Sequence, residues 1–249
     1  MNKRTLGDRM KEDYEYRSRY SLTRRVPVII RVDMKAGHTY TRGMERPYAH
    51  DFVHCMDEMT KYVCSEVQGC KLGYTQSDEA SFLLIDYDTH NTAAWFDYGV
   101  QKMASVVGSL AATGFNRAAL SLLPSERIEE MRWANFDARV FNVPQQEVNN
   151  YFIYRQRDAV KNSIAMLAQS VFSHRELHRK NTDEMQHMLF TQWGINWNDQ
   201  HEHFRRGRMV HKTTFERNGA TRTHWVVSPT TPEFSKSDIV STLLTVNNT

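Results

Sequence analysis

Acidic residues at the ends of two predicted strands are the positions in this chain best suited to chemistry. Asp33 follows the largely apolar run 28–32, and Asp78 and Glu79 precede the apolar run 82–85. Carboxylates at buried strand ends carry a desolvation cost that a bound cation offsets. Mg²⁺ prefers such hard oxygen ligands and leaves coordination positions for water and phosphate. If the fold brings these acids together, they form a divalent-metal site suited to nucleotidyl transfer.

Each of these motifs also has an ordinary structural explanation. An Asp after a strand commonly caps a turn or the next helix, and an Asp-Glu pair between two strands is usually solvated. The presence of both motifs favours a metal site, because each motif adjoins an apolar strand and the two strands can belong to one sheet. The sequence therefore leaves two interpretations open, a metal site and a pair of ordinary turns.

Composition describes a globular chain of ordinary type. The 249 residues are 40% apolar and 24% charged, with a formal net charge of +3. A chain of this length can bury a sizeable core. No apolar run reaches the roughly 18 residues of a membrane helix, and the start is charged, so we expect a cytoplasmic protein without a membrane partner. The odd number of cysteines, without paired CxxC spacing, indicates reduced core thiols at Cys55, Cys64 and Cys70.

Residues 1–144 predict a catalytic portion of the α+β class. Strands are expected at about 28–33, 71–74, 80–86 and 136–143, and helices around 52–66 and 95–110. This order is typical of a palm-like (ferredoxin-like) antiparallel sheet with helices on one face. The first strand then lies beside the hairpin strands, so Asp33 is expected near Asp78.

Residues 145–249 predict a mostly helical portion with a β-hairpin, packed on the first portion as one compact unit. A long helix is expected over 146–172, and Asn181 with Glu184 resembles a capping box that starts a helix ended by Gly194. Asn218-Gly219 is a strong signal for a two-residue hairpin turn.

Five motifs in order resemble the tRNA-histidine guanylyltransferase family, over nearly the whole chain. They are Arg31-Val32-Asp33 followed by His38 and Tyr40-Thr41; Tyr74-x-Gln76-Ser77-Asp78-Glu79; Phe136-Asp137-Ala138-Arg139-Val140; Tyr151-x-x-Tyr154-Arg155-Gln156-x-Asp158-x-x-x-Asn162; and Gly194-Ile195-Asn196-Trp197 with Arg206-Gly207. The stretch 173–178 looks most like the bacterial and phage guanylyltransferase-like branch.

The resemblance implies a 3′-to-5′ RNA polymerase that extends the 5′ end of tRNA, using ATP to activate a 5′-monophosphate and the 3′-hydroxyl of an incoming NTP as nucleophile. The substrates are tRNA, ATP and GTP or other NTPs, two Mg²⁺ ions are expected, and relatives are commonly tetramers. The leading hypothesis is templated repair of truncated tRNA. The alternatives are addition of the extra 5′ G to tRNA-histidine, a non-catalytic tRNA-binding relative, and a palm-type nucleotidyl cyclase that needs no RNA.

The resemblance also assigns roles to residues. Asp33, Asp78 and Glu79 are the expected catalytic acids, and the metal ligands are Asp33, Asp78 and the backbone carbonyl of Met34. The expected nucleotide-binding residues are Arg31, His38, Ser77, Lys102, Arg155, Asp158 and Asn162, and the expected RNA-binding residues are Lys180, Arg205, Arg206 and Arg208. An ion pair between Arg155 and Asp158, three residues apart on one helix face, is the structural alternative for those two.

Three departures from the family pattern affect these expectations. Relatives usually carry Gly-Arg after the first metal Asp, whereas this chain has Met34-Lys35. A carbonyl ligand needs no side chain, so metal binding can survive this exchange. Relatives also often carry arginine just before Lys102, where this chain has Gln101. Val160 replaces the histidine that helps eukaryotic relatives to recognise the tRNA-histidine anticodon, which argues against strict specificity for that tRNA.

Overall fold

Six strands form one antiparallel sheet in the computed structural model, which describes residues 4–122 and 133–245. The strands are β1 (Val28–Met34), β2 (Cys70–Gln76), β3 (Glu79–Leu84), β4 (Phe136–Asn142), β5 (Arg208–Arg217) and β6 (Ala220–Val227). Their order across the sheet is β4-β1-β3-β2-β5-β6. The α+β class and the antiparallel palm-like sheet are therefore confirmed, and the predicted hairpin extends the same sheet beyond β2.

Helices connect and cover the strands. They are α1 (Leu6–Asp13), α2 (Gly37–Tyr40), α3 (His50–Glu66), α4 (Val100–Leu122), α5 (Gln145–Gln169), α6 (His174–Leu177), α7 (Thr182–Trp193), α8 (Glu202–Arg206) and α9 (Ile239–Leu244), with short 3₁₀ turns at Glu15–Ser18, Trp95–Tyr98, Trp197–Asp199 and Phe234–Lys236. Over the described residues, we find no helix with the length and apolar character that a membrane span requires.

Alternation along the strands divides the core between the two faces of the sheet. On β1, Val28, Ile30 and Val32 point toward α3 and α4, while Ile29 points to the opposite face, where α5 and α9 pack. This follows from the two-residue period of a strand. The palm's own helices lie on one face, as predicted, and the second portion of the chain covers part of the other. The cysteines Cys55, Cys64 and Cys70 are buried and free in the first of these cores, as predicted.

The helix predicted from residue 95 begins later, at Val100. Phe96 and Asp97 have φ of 50° and 51°, in the left-handed region that L-residues cannot continue as a right-handed helix. Met103 and Val107 of α4 are fully buried, whereas Phe96, which precedes the helix, is 37% exposed. The periodicity therefore identified the helix, but it placed the start five residues too early and the end, expected near residue 110, well before Leu122.

The sequence signals for the ends of one helix and for the hairpin turn are confirmed. The Asn181 side chain accepts from the Glu184 backbone, and the Glu184 carboxylate accepts from the Asn181 N–H at 2.9 Å, which confirms the capping box. Gly194 ends that helix with φ of 65°. Asn218 and Gly219 have φ of 54° and 71° and connect β5 to β6, as the two-residue hairpin turn requires.

Candidate active site

The face of the sheet toward α5 carries side chains sorted into rows of like chemistry. The cross-strand partners across β4, β1, β3 and β2 are Asp137, Asp33, Glu79 and Gln76 in one row, Arg139, Arg31, Ser81 and Tyr74 in the next, and Phe141, Ile29, Leu83 and Leu72 in the third. Cross-strand partners share a face of the sheet and lie about 5 Å apart. An acidic row, a basic and hydroxyl row, and an apolar row covered by α5 therefore follow one another.

The two predicted metal ligands converge at the end of β1. Asp78 lies in the turn between β2 and β3, next to Ser77, whose φ is 49°. The Met34 N–H donates to the Asp78 carbonyl at 3.0 Å, which ties that turn to β1 directly beside Asp33. The sequence expectation that the fold brings Asp33 near Asp78 is met.

The lack of a side chain at Gly37 leaves room for the Asp78 carboxylate. A Cβ built on Gly37 would overlap Asp78 Oδ2 and lie 2.8 Å from its Cγ. No real side chain fits there without moving the carboxylate. Met34, by contrast, is buried in the core on the far side of the sheet. The close backbone approach expected just after Asp33 is thus supplied three residues later.

Electrostatics at Asp33 favour a cation. Burial raises the pKa of the Asp33 carboxyl, and the nearby Asp78 and Asp137 raise it further, while Arg31 and Arg139 partly offset this effect. Like charges on directly opposed strand positions are destabilising. A bound divalent cation would remove that repulsion and favour the ionised acid.

The donor set fits Mg²⁺ that arrives with a phosphate. Asp33 and Asp78 offer carboxylate oxygens, and the Met34 carbonyl is a further hard oxygen at the same strand end. Within ranges 4–122 and 133–245, no group of three or more His, Cys, Asp or Glu side chains is arranged to enclose a metal. Mg²⁺ commonly binds through one or two carboxylates, with waters and substrate phosphates completing its octahedron. These residues match that kind of open site.

Glu79 and Arg155 form a buried ion pair behind the acids. Arg155 Nη1 lies 3.0 and 2.9 Å from the two Glu79 oxygens, and Nη2 pairs with Asp158. Burial raises the pKa of the Glu79 carboxyl, and Arg155 opposes this. Because the Arg155 side chain is only 4% exposed, it positions Glu79 rather than reaching for a nucleotide. The expected nucleotide contact of Arg155 is corrected accordingly, and the alternative ion pair with Asp158 is present.

The other predicted nucleotide-binding residues are spread around the acids. Arg31 and Ser77 lie beside them, in the basic row and in the Asp78 turn. His38 is exposed and follows Gly37 in α2. Lys102 is exposed at the start of α4, with Nζ 4.4 Å from the Phe96 ring centroid, and Asn162 is exposed on α5 beyond Asp158. No described contact ties Lys102 or Asn162 to the acids.

The predicted RNA-binding cations differ in exposure. Arg208 is 2% exposed and pairs with Asp57 of α3, so it stabilises the packing of β5 and is not a surface contact for RNA as we expected. The other three are at least partly exposed and each has a protein partner: Lys180 with Glu184 at 3.1 Å, Arg205 with the Gln200 carbonyl at 2.8 Å, and Arg206 with Glu233 at 2.6 Å.

Three residues of the site had no predicted role, namely Gly37, Asp137 and Arg139. A signal for the last two was present, because Arg31-Val32-Asp33 and Asp137-Ala138-Arg139 are mirror images. When such segments pair antiparallel, acid faces acid and base faces base, as observed here. Gly37 had no comparable signal, since its importance depends on a contact with a distant turn.

Comparison with known proteins finds relatives of one kind. Residues 7–144 match the sequence model of a family described as tRNAHis guanylyltransferase. A bacterial tRNA(His) guanylyltransferase-like protein solved in complex with ATP is 40% identical, with a TM-score of 0.88 over 98% of this chain and 100% of that chain. A similar bacterial protein solved with GTP is 38% identical, with a TM-score of 0.80 over 96% and 98%. The tRNA(His) guanylyltransferase of Debaryomyces hansenii is 25% identical over 196 residues, which are 74% of this chain and 72% of that protein.

Proposed function

Because this chain belongs to the tRNAHis guanylyltransferase family, and is therefore a nucleotidyltransferase, we propose that it repairs the 5′ end of truncated tRNA by templated 3′-to-5′ nucleotide addition. The observation that carries this proposal is the convergence of Asp33 and Asp78 beside a row that begins with two arginines, on one face of the sheet. Transfer between polyphosphate substrates needs carboxylates that bind metal ions and, beside them, positively charged side chains that bind phosphates.

The proposed reaction has two phosphoryl transfers. First, the 5′-monophosphate of the RNA attacks the α-phosphorus of ATP, and pyrophosphate leaves. The 3′-hydroxyl of an incoming NTP then attacks the 5′-phosphorus of the adenylylated RNA, its proton passes to solvent, and AMP leaves. The product carries one more nucleotide and ends in the triphosphate of the added NTP. A 5′-triphosphorylated RNA would skip the first step and release pyrophosphate in the second.

The chain's own groups orient these transfers. Asp33, Asp78 and the Met34 carbonyl would hold Mg²⁺, which when bound neutralises developing charge on the phosphates. Arg31 lies one row from the acids, where a guanidinium fork can bind phosphate oxygens. The buried Glu79–Arg155 pair fixes the start of β3 next to the Asp78 turn. Effective positioning of this kind supplies much of the rate in phosphoryl transfer.

Position 160 supports repair of several tRNAs over addition of G to tRNA-histidine alone. Val160 packs against the apolar cluster that α5 forms with α7, and a valine side chain has no hydrogen-bonding group with which to read an anticodon base. Base pairing with the opposite strand of the acceptor stem would then choose each nucleotide. The protein would recognise RNA shape and phosphates.

Incubation of purified protein with 5′-labelled tRNAs that lack their first nucleotide, together with Mg²⁺, ATP and single NTPs, tests this proposal. We expect extension only by the NTP that complements the template base, in histidine and non-histidine tRNAs alike, and none with Asp33→Ala. Extension of tRNA-histidine alone would favour the guanylyltransferase alternative. Tight RNA binding without extension would favour the non-catalytic one, and cyclic nucleotide formation without RNA would favour a cyclase.

Assembly and location are part of the same proposal. Relatives are commonly tetramers whose RNA contacts span subunits, and we propose a tetramer in the cytoplasm for this chain. Light scattering coupled to size-exclusion chromatography, with and without tRNA, measures the mass of the assembly. A monomer that retains full activity would contradict the proposed tetramer and leave the reaction unaffected.

A further inference from the structure

We propose that a cavity between β5 and the segment 228–243 binds a small organic anion, with an apolar body and one carboxylate or phosphate head. The cavity has a volume of about 590 Å³. Small-molecule sites commonly measure roughly 300–1,000 Å³. It lies on the face of the sheet toward α9, and the apolar side chains of Met209, Ile239 and Leu243 line it. No step of the proposed reaction uses this cavity.

The cavity is separate from the candidate active site. It adjoins Lys71 near the start of β2, whereas the acidic row crosses β2 at Gln76, about 17 Å further along the strand. The row between them contains the buried Tyr74, whose ring packs against those of Phe152 and Phe234. A small molecule in the cavity would therefore not contact the acids.

Two polar side chains at the cavity lack hydrogen-bond partners. Ser228 is only 7% exposed, and its hydroxyl makes no hydrogen bond within the described residues, although its N–H donates to the Met209 carbonyl at 2.8 Å. His211 also lines the cavity, and its Nδ1 is buried without a partner in the same part of the chain. Buried polar groups are hydrogen-bonded in the great majority of native structures. A ligand with a polar head would satisfy such groups.

The charges around the cavity favour an anion. None of the described residues that line it is acidic, and Lys71 and Lys212 both do so. Lys212 Nζ lies 5.2 Å from the Trp225 ring centroid, so Lys71 supplies the cation for a ligand. Lys71 Nζ lies 2.7 Å from both carboxylate oxygens of Asp88, in a partly exposed pair. Exposed ion pairs contribute little stability, so the ammonium group can exchange Asp88 for an anionic ligand.

Calorimetric titration of the purified protein with 2-naphthoate, 2-naphthyl phosphate and the uncharged 2-naphthamide tests this site. The three probes share one ring system and differ in the head group. We expect an anion to bind in the cavity and the amide to bind roughly 10- to 100-fold more weakly, because hydrogen bonds to charged groups are the stronger ones. Tighter binding of the carboxylate or of the phosphate would identify the preferred head.

Two variants locate the bound probe. Thr230→Trp places a ring at the exposed rim of the cavity and should abolish binding there. Naphthyl phosphate that still binds to this variant occupies another site, such as the arginines beside the acids. Ser228→Ala keeps the volume of the cavity and removes the free hydroxyl, so it should weaken binding about 2- to 10-fold.

The Lys71–Asp88 pair predicts effects of opposite sign. Lys71→Gln should weaken binding of both anions roughly 10-fold and leave the amide unchanged. Asp88→Asn should strengthen binding of the anions, because it frees the Lys71 ammonium group. Lys61→Gln is the matched control, since Lys61 has similar exposure and pairs with Glu58 at 2.6 Å on α3, away from the cavity. It should change none of the affinities.

Several results would contradict the proposed anion site. Binding of neither anion to the folded wild type, or equal binding of the amide, would exclude it. So would a folded Thr230→Trp protein that binds both anions as the wild type does, and circular dichroism checks the folding. Weaker anion binding in Asp88→Asn would exclude the role of Lys71. None of these results depends on extension of truncated tRNA, which tests the proposed function separately.

Discussion

The two faces of the same central strands carry different kinds of side chain. Toward α3 and α4, Val28, Ile30 and Val32 of β1 are fully buried beside Phe82 of β3. Toward α5, alternate residues of these strands place acid beside acid and arginine beside arginine. One face is packed with apolar side chains throughout β1, whereas the other is packed only in its apolar row and accepts repulsion between like charges in the two rows beside it. Residues placed against their own stability are expected where a ligand completes the structure.

The buried ion pairs sharpen this contrast. Glu79 with Arg155, and Asp57 with Arg208, are partnered and inaccessible. Asp33, Arg31 and Arg139 lie on the same sheet and have no such close partner among the residues that the structure describes. Charge alone therefore does not mark a candidate functional residue in this protein, since a charge that is buried in an ion pair stabilises the packing.

The largest effect on stability is expected from the packed face. Phe82→Ala should lower the free energy of unfolding by about 3–5 kcal/mol, because it removes a fully buried ring and leaves a cavity. Urea denaturation measures the change. Leu120→Ala, at a position 45% exposed, is the control and should cost far less. Equal losses of stability at the two positions would contradict the interpretation that the face toward α3 and α4 is packed for stability.

An intermediate loss of stability with complete loss of activity is expected at Gly37. Gly37→Ala should cost about 1–3 kcal/mol, because the new Cβ collides with the Asp78 carboxylate. Since the displaced group is a proposed metal ligand, nucleotide addition should disappear even where the protein is folded. Thermal unfolding and extension assays measure both effects. Gly7→Ala, with its nearest atom 3.7 Å away, is the control and should leave activity intact.

The smallest effect on stability, and one of opposite sign, is expected at Asp33. Asp33→Asn should abolish activity yet stabilise the ligand-free protein at pH 7 by about 0.2–1 kcal/mol, because it removes a partly buried charge and the repulsion of that charge by Asp78 and Asp137. The pKa of Asp33 is raised in the folded state, so the wild type loses stability as pH rises through that pKa. The advantage of the variant should therefore vanish below about pH 3.9, the ordinary pKa of Asp. A variant less stable than the wild type at pH 7 would contradict this account.

Sequence reasoning succeeded where the signal was local. The capping box at Asn181, the turn at Asn218-Gly219 and the strand before Asp33 depend on residues within a few positions, so their patterns were visible directly. Prediction from the sequence failed where backbone strain or packing between distant residues set the structure. The left-handed residues at Phe96 and Asp97 moved a helix start, and the packing of Arg208 against Asp57 turned an expected RNA contact into a core pair.

The sequence by itself determined the α+β sheet, the family resemblance and the acids at the ends of two strands, because periodicity and motif order are properties of neighbouring residues. Only the tertiary structure decided which charges meet. Strand register set Asp137 against Asp33 and Arg139 against Arg31, and the path of the chain set Gly37 against Asp78. Such contacts join residues about forty to a hundred positions apart. The mirror-image segments 31–33 and 137–139 permit like-charge rows, but only the strand register decided that these residues face each other.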